Sequence, residues 1–284
     1  MNATVGALLV EAVSHLRDVP EPRREAQILL AYTLGVTRAW LAAHALDQAD
    51  AAAAATFHEL VLRRRAGEPV AYLVGSREFY GLIFRVTPDV LIPRADTETL
   101  IEVALEKIGQ GPADVLDLGT GSGCVAIALA HERPAARVTA VDVSPGALGV
   151  ARDNARANAV EVQFVQGSWF AGLAGRRFDI IVSNPPYIAQ DDAHLRQGDL
   201  RFEPAIALSA GQDGLAALRL IVSGAPAQLR EGGWLFFEHG YEQARASRDL
   251  LLNAAFCDLI SRCDINGVPR VAGGRLLTSE SRNH

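Results

Sequence analysis

The chain has 284 residues, a net charge of −6 at pH 7, 49% hydrophobic residues and 21% charged residues. This composition supports a large core and excludes global disorder, and the length is typical of about two domains. The acidic balance argues against stable, sequence-independent nucleic-acid binding, which needs clustered cations. One basic cluster, Arg63-Arg64-Arg65, fits either a local basic patch or the solvated end of a helix.

The spacing of the cysteines and the length of the apolar runs indicate the cellular compartment. Cys124, Cys257 and Cys263 contain no C-x-x-C pair, which argues against a disulfide framework or a structural zinc and is typical of a reducing cytosol. The start carries Glu11 and His15 without a basic segment, so a signal peptide is not expected. No apolar run approaches the roughly 18 residues of a membrane span. We expect a cytoplasmic monomer without a metal site.

Residues 1–66 predict a small helical bundle. Pro22 opens a helix that Gly35 closes, and Thr37 and Asp50 can cap two further helices. Four or five helices fit this length. Because no catalytic constellation occurs here, the bundle is either a structural cap or a substrate-docking domain.

Residues 67–95 predict a β-hairpin linker. Glycines and a proline punctuate two short β-prone runs, Val70–Val74 and Leu82–Val86. At the end of the linker, Pro93-Arg94 suits a wall of an active site, and Asp96 can cap the next helix. Plain helix initiation explains the same residues.

Residues 96–284 alternate strands and helices, which predicts a mainly parallel sheet covered by helices on both faces. The last two strands have only five residues between them, too few for a crossover helix, so they should pair antiparallel. The predicted strands are Val115–Leu118, Val138–Val141, Val162–Val165, Ile180–Val182, Trp234–Glu238, Cys257–Asp264 and Arg270–Leu277.

A glycine-rich loop, Gly119-Thr120-Gly121-Ser122-Gly123, follows the first of these strands and opens a helix. Asp142 lies 23 residues beyond Gly119 at the end of the next strand, where its carboxylate can accept hydrogen bonds from ribose hydroxyls. The third glycine comes a residue early for a dinucleotide fingerprint, and no P-loop motif is present. A nucleoside cofactor without a pyrophosphate fits better, and S-adenosylmethionine (SAM) is the obvious one. Trp169 can contact the adenine, although a core position explains it equally well.

The segment Asn184-Pro185-Pro186-Tyr187 directly follows a buried strand. Two prolines cannot continue a central strand, so the chain leaves the sheet at its carboxyl end, where ligands of open α/β sheets bind. Asn184 offers an acceptor and a donor, the proline carbonyls need partners, and Tyr187 offers a flat face. A strand-ending turn explains the segment taken alone. Together with the glycine loop and Asp142, it predicts an amino-group methyltransferase.

We therefore predict Asn184, Pro185 and Tyr187 as catalytic residues and all four residues of the segment as substrate contacts. The predicted SAM contacts are Gly119, Thr120, Gly121, Ser122, Gly123, Asp142, Trp169 and Asn184. Further distinctive segments are Glu68-Pro69-Val70-Ala71-Tyr72-Leu73-Val74-Gly75, Phe79-Tyr80-Gly81, Leu91-Ile92-Pro93-Arg94, Glu203-Pro204, Asp213-Gly214-Leu215 and Glu238-His239-Gly240.

From about residue 68 to the end, these motifs resemble the HemK/PrmC-type methyltransferases, the release factor glutamine N5-methyltransferase family. The resemblance implies a class I SAM-dependent methyltransferase: a Rossmann-like, mainly parallel seven-stranded α/β sheet with an antiparallel last strand, plus a small helical bundle. It also implies methylation of the glutamine amide in the Gly-Gly-Gln motif of class 1 peptide-chain release factors. Asn184 would accept from the glutamine NH₂, a proline carbonyl would take the second hydrogen, and Tyr187 would pack on the amide plane. Ala95-Asp96 stands where the family usually has Pro-Glu, so no direct role is expected for Asp96.

Three alternatives remain. A ribosomal-protein glutamine methyltransferase shares the Asn-Pro-Pro-Tyr motif, but the compact helical domain and the hairpin favour the release factor. A DNA or RNA adenine N6-methyltransferase needs a basic recognition surface, which the acidic balance disfavours. A non-catalytic SAM-binding or oxidoreductase module is disfavoured by the intact Asn184 and Asp142.

Overall fold

The structure, a computed structural model, describes residues 3–277. The chain divides into two compact units. The first, called the helical unit below, runs to Ser76 and also includes the distant segment Gln197–Phe202. The second, called the sheet unit, comprises Arg77–Arg196 and the chain from Glu203 onward. None of the helices within residues 3–277 is long and apolar enough to cross a membrane.

The helical unit is built from amphipathic helices around an apolar cluster that includes Leu8, Leu29 and Phe57. Two predicted N-caps are confirmed, because Thr37 accepts a hydrogen bond from the Trp40 amide and Asp50 accepts one from the Ala53 amide. The helices are α1 (Val5–His15), α2 (Pro22–Leu34), α3 (Arg38–Ala43), α4 (Ala51–Arg65) and α5 (Val70–Val74).

Helix α5 corrects one prediction, since Val70–Val74 was expected to be β-prone. Pro69 precedes its first turn, and Gly75 ends it in the left-handed conformation at φ 72°. The apolar run packs Leu73 into the helical cluster. A short apolar run does not distinguish strand from helix by itself, and here the flanking residues and the packing decide.

Of the basic triplet at the end of α4, Arg64 is buried, whereas Arg63 and Arg65 are exposed. The Arg64 side chain is only 5% exposed; its Nε donates to Glu25 at 2.6 Å and its Nη1 donates to Asp199 at 2.7 Å. Arg63 donates through two nitrogens to Glu68. A buried charge must be paired, so Arg64 ties Gln197–Phe202 to the rest of the helical unit.

The sheet unit opens with a two-stranded hairpin and continues into a seven-stranded sheet. The hairpin strands are β1 (Ser76–Phe79) and β2 (Leu82–Arg85). The large sheet contains β3 (Asp114–Leu118), β4 (Arg137–Asp142), β5 (Gln163–Gln166), β6 (Phe178–Ser183), β7 (Leu229–Glu238), β8 (Phe256–Cys263) and β9 (Pro269–Leu276).

The spatial order of the large sheet is β5-β4-β3-β6-β7-β9-β8. All pairings are parallel except those of β9, which is antiparallel to both β7 and β8. The predicted antiparallel end of a mainly parallel sheet is therefore confirmed.

Helices cover both faces of this sheet. The helices α6 (Glu98–Lys107), α7 (Cys124–Glu132) and α8 (Pro145–Ala157) pack on one face, and α9 (Ala216–Gln228) and α10 (Ala244–Asn253) pack on the other. The carboxyl ends of β3, β4, β6 and β7 meet at one edge, because the parallel register places Leu118 beside Ser183 and Ser183 beside Phe237.

After β6 the chain makes a long excursion before it enters α9. The base of this excursion is closed by backbone hydrogen bonds: Ile188 and Leu208 are joined at 3.0 Å, and Gln190 and Gly211 at 2.8 Å. The middle of the excursion contains Gln197–Phe202, the segment that belongs to the helical unit.

Candidate active site

A cavity of about 390 Å³ lies at the carboxyl edge of β3, β4 and β6, within the size range of small-molecule sites. Pro93 and Arg94, the predicted wall, line it. Three predicted site residues, Gly123, Pro185 and Tyr187, are not among its lining residues. The predicted residues that do line it are Gly119, Thr120, Gly121, Ser122, Asp142, Trp169, Asn184 and Pro186.

The three loop glycines divide into two roles. Gly119 and Gly121 have φ of 72° and 56° and present bare backbone to the cavity, a conformation that costs glycine little. Gly123, at φ 83°, faces the protein instead: a Cβ there would lie 2.9 Å from Ile127 Cδ1 and 3.1 Å from Ala151 Cβ. It therefore allows α7 to approach α8.

Asp142 is held in place by two backbone amides. Its Oδ2 accepts from the Gly121 N–H at 2.8 Å, and its Oδ1 accepts from the Ser144 N–H at 2.9 Å. Each carboxylate oxygen keeps a further lone pair, and the residue lines the cavity. These two acceptor oxygens fit the hydroxyls of a ribose diol, and the bare glycine backbone beside them leaves room for a nucleoside.

The position of Trp169 is compatible with a core residue and with a residue of the cavity wall. It is half-buried, packs against the apolar cluster under α9, and lines the cavity. It adopts a left-handed φ of 51°, and a Cβ at Gly119 would lie 3.7 Å from its ring. The indole therefore lies beside the glycine loop.

Two cavity residues without an assigned role in the sequence prediction are Asp117 and Cys124. Asp117 is 1% exposed, its Oδ2 accepts from the Thr120 hydroxyl at 2.6 Å, and burial raises its pKa to about 7. Burial also raises the pKa of the Cys124 thiol to about 12, so the thiol stays neutral and is not an activated nucleophile. The sequence signal that could have identified Asp117 is an acidic residue inside a strand of buried apolar residues.

Asn184 belongs to a buried hydrogen-bond chain. Its Nδ2 donates to Thr97 Oγ1 at 3.0 Å, and the Thr97 hydroxyl donates to Glu238 Oε2 at 2.6 Å. The Tyr187 hydroxyl donates to the other oxygen, Oε1, at 3.2 Å. Thr97 and Glu238 are each 1% exposed.

Burial raises the pKa of Glu238 to about 7, against the opposing effect of its two hydroxyl donors. Burial also raises the pKa of Tyr187, so the phenol stays protonated and acts as a donor. The sequence prediction assigned no role to Glu238, although it ends β7 as Asp142 ends β4.

The segment before α6 differs from its prediction. Asp96 does not cap the helix; it lies in a short 3₁₀ turn, Ala95–Thr97, and pairs with Arg270 at 3.1 Å. The helix starts after Thr97, whose hydroxyl donates to Glu238 instead of capping. Arg94 pairs with the fully buried Glu203 carboxylate, which also accepts from the Ile92 amide at 3.0 Å.

No group of three or more His, Cys, Asp or Glu side chains within residues 3–277 is arranged to hold a metal ion. Amide, hydroxyl and carboxyl groups line the cavity, among them those of Asn184, Thr120 and Asp142.

Comparison with known proteins identifies two families along the chain. Residues 7–75 match the PrmC N-terminal domain, and residues 95–208 match the methyltransferase small domain. A release factor glutamine methyltransferase of Bordetella pertussis is 51% identical over 263 residues, which cover 92% of this chain and 97% of that protein. Its counterpart in Burkholderia pseudomallei is 52% identical over 273 residues, 93% of this chain and 96% of that protein.

Solved structures share the fold. A Pyrococcus furiosus methyltransferase matches with a TM-score of 0.54 and 17% identity, covering 78% of this chain and 98% of that one. A T. thermophilus 16S rRNA methyltransferase (RsmC), solved with AdoMet and guanosine, matches with a TM-score of 0.52 and 24% identity, covering 71% of this chain and 49% of that one. These structures confirm the predicted class I fold, and the matches to the methyltransferase family and to glutamine methyltransferases confirm the predicted SAM cofactor. Because near-full-length relatives share about half of its residues, the chain belongs to the release factor glutamine methyltransferase family of SAM-dependent enzymes.

Proposed function

We propose that this enzyme methylates the side-chain amide nitrogen, N5, of the glutamine in the Gly-Gly-Gln motif of class 1 peptide-chain release factors. The proposal rests on one observation: residues suited to a nucleoside cofactor and residues suited to a substrate amide line the same cavity. Asp142 and the glycine loop line it for a nucleoside cofactor, and Asn184 and Pro186 line it for an amide. The names of the relatives supply the substrate class.

Gly119, Gly121, Asp142 and Trp169 would hold the cofactor through bare backbone, carboxylate acceptors and an aromatic face. Bound SAM would supply an electrophilic methyl group on its sulfonium sulfur, with the thioether as the leaving group, and the methylated glutamine nitrogen would release one proton to water. The remaining contribution of the chain is orientation, which lowers the entropic part of the barrier.

Asn184 orients the glutamine. Its Nδ2 is engaged by Thr97, so its Oδ1 is the atom that accepts from the substrate NH₂. A carbonyl of Pro185 or Pro186 accepts the second hydrogen, and Tyr187 packs against the amide plane. An amide nitrogen is a poor nucleophile because its lone pair is delocalised, and two acceptors that pin the NH₂ favour the twisted, more nucleophilic geometry.

The helical unit is the substrate-docking domain in this proposal, with 1–66 as the bundle, 67–95 as the linker and 96–284 as the catalytic domain. The match of residues 7–75 to the PrmC N-terminal domain supports a separate N-terminal domain, which, like the helical unit, extends past the predicted boundary at residue 66. The enzyme acts as a cytoplasmic monomer without stable nucleic-acid binding, in keeping with its net charge of −6 and three free cysteines.

The test incubates the enzyme and radiolabelled SAM with a release factor that carries either Gly-Gly-Gln or Gly-Gly-Ala. Label on the intact motif alone is the expected result. Label on neither factor, but on DNA, RNA or a ribosomal protein offered in parallel, would refute the release-factor substrate.

Asn184→Ala separates orientation of the substrate from cofactor binding. We expect this variant to bind SAM, measured by calorimetry, while its methylation rate is lost. A retained rate would refute the assigned role of Asn184.

A further inference from the structure

We propose that Thr97 and Glu238 are positioning residues that lock the Asn184 amide with Oδ1 toward the substrate. The inference deepens the proposed function and rests on it. Neither residue needs to touch the glutamine: both act through Asn184, across the chain of hydrogen bonds that joins β6, β7 and the start of α6.

The Thr97 hydroxyl fixes the orientation of the Asn184 amide through its single proton. The Thr97 hydroxyl has one proton and two lone pairs. Its 2.6 Å bond to Glu238 Oε2 uses the proton, because a carboxylate only accepts. Thr97 Oγ1 can then only accept from Asn184, and the group it faces at 3.0 Å must be the NH₂.

The flipped orientation of the Asn184 amide is costly. A flipped amide would place Asn184 Oδ1 against Thr97 Oγ1 with no proton between them. Thr97 is 1% exposed, so water has little access to repair the contact, and an unsatisfied buried polar pair is costly. The flipped amide would also present NH₂ to the substrate NH₂, a donor facing a donor.

Glu238 accepts at both oxygens when it is ionised, although burial raises its pKa to about 7. Its Oε1 receives the Tyr187 hydroxyl at 3.2 Å, so both oxygens have donors. The positive charge of Arg270, which pairs with Asp96 at 3.1 Å and Asp264 at 3.3 Å, also favours the ionised form of Glu238. Tyr187 therefore contributes to the lock through its hydroxyl, independently of any contact with substrate.

The decisive comparison is Thr97→Val against Thr97→Ser in the release-factor assay. Valine keeps the branched shape and removes the hydroxyl, whereas serine keeps the hydroxyl. We expect Thr97→Val to lower kcat by about 100-fold, the scale of a misplaced orienting group, while Thr97→Ser retains most of the wild-type rate. SAM affinity should be alike in the two variants, whereas Thr97→Val should melt at a lower temperature because it leaves the buried Glu238 oxygen without its donor.

A second variant, Glu238→Gln, tests the pH dependence of the rate, which a purely structural role of Glu238 would not change. In the wild type, protonation of Glu238 lets the Thr97 proton turn to Asn184 and releases the lock, so the rate should rise with pH through about 7. The groups facing Glu238 are Thr97, Tyr187, Arg270 and Asp96. Glu238→Gln should lower the rate and remove this rise.

The outcomes are distinguishable. A wild type that leaves the release factor unlabelled overturns the proposed function, and the lock falls with it. A labelled release factor with equal rates for Thr97→Val and Thr97→Ser overturns the lock alone. If Thr97→Val does not fold, Glu238→Gln decides, and a pH profile unchanged from the wild type counts against the lock.

Discussion

The Glu238→Gln substitution is expected to change how the free energy of unfolding depends on pH. The carboxyl is 1% exposed, and burial raises its pKa from 4.5 to about 7. Ionising it in the folded protein therefore costs more than ionising it in the unfolded chain. Glutamine has nearly the same shape and cannot ionise, so the variant lacks this pH-dependent cost.

The sign follows from the protons bound in each state. Between the two pKa values the native state keeps a proton that the unfolded chain has released, so the free energy of unfolding falls as pH rises. The stabilisation from protonated Glu238 is complete below pH 4.5 and is lost as pH rises through about 7. Between pH 5 and pH 8 the loss is about 2–3 kcal/mol for these two pKa values. The buried Asp117, with a pKa also raised to about 7, adds a contribution of the same sign to both proteins, which cancels in their difference.

The assay is urea unfolding at several pH values from 5 to 8, followed by tryptophan fluorescence. Trp40 lies in the helical unit, whereas Trp169 and Trp234 lie in the sheet unit, so a Trp40→Phe background reports on the sheet unit. Glu231→Gln is the matched control, because Glu231 is an exposed acid on the same strand, β7.

The expected result is that Glu238→Gln gains about 2–3 kcal/mol of stability relative to the wild type between pH 5 and pH 8, while the stability difference between Glu231→Gln and the wild type does not change with pH. Only the change of this stability difference with pH is tested, since a lost hydrogen bond shifts the difference by the same amount at every pH. A flat difference for Glu238→Gln, or one that favours the wild type as pH rises, would refute the reasoning about its burial.

Three further substitutions test other features. Gly123→Ala places a methyl group about 3.1 Å from Ala151 Cβ at φ 83°, so denaturant unfolding should show a loss of about 1–3 kcal/mol; unchanged stability would contradict the tight packing. Arg64→Met leaves two carboxylates without their cation and should destabilise the helical unit by about 3 kcal/mol, read from Trp40 fluorescence; an unshifted Trp40 transition would count against the buried ion cluster. Asp142→Asn removes an ionised acceptor and should weaken SAM binding about 10-fold in calorimetry; an unchanged affinity would rule out the ribose contact.

The sheet was predictable because its strands are apolar runs separated by helical segments. Each strand or helix can therefore be identified from a short stretch of sequence. The same holds for Gly119 and Asp142, whose positions after strands place them at one edge. Val70–Val74 was not predictable in this way, because five apolar residues fit either a strand or a helix until Pro69, Gly75 and the packing of Leu73 are known.

The Thr97–Glu238–Asn184 chain was beyond local patterns for a different reason. Thr97 lies 141 residues from Glu238 and 87 residues from Asn184. Only the pairing of β6 with β7 and the path of the chain into α6 bring the three together. Each also had a simpler local interpretation, as a helix start, a strand end or a turn.

The division of the helical unit between two distant stretches has a consequence for how the protein is made. On the ribosome, α1 to α5 are complete long before Gln197–Phe202 is synthesised. Until Asp199 emerges, Arg64 has Glu25 but lacks its second carboxylate. The helical unit therefore finishes folding late, after most of the strands of the sheet unit have been translated. A recombinant fragment that ends at Ser76 would be an incomplete helical unit.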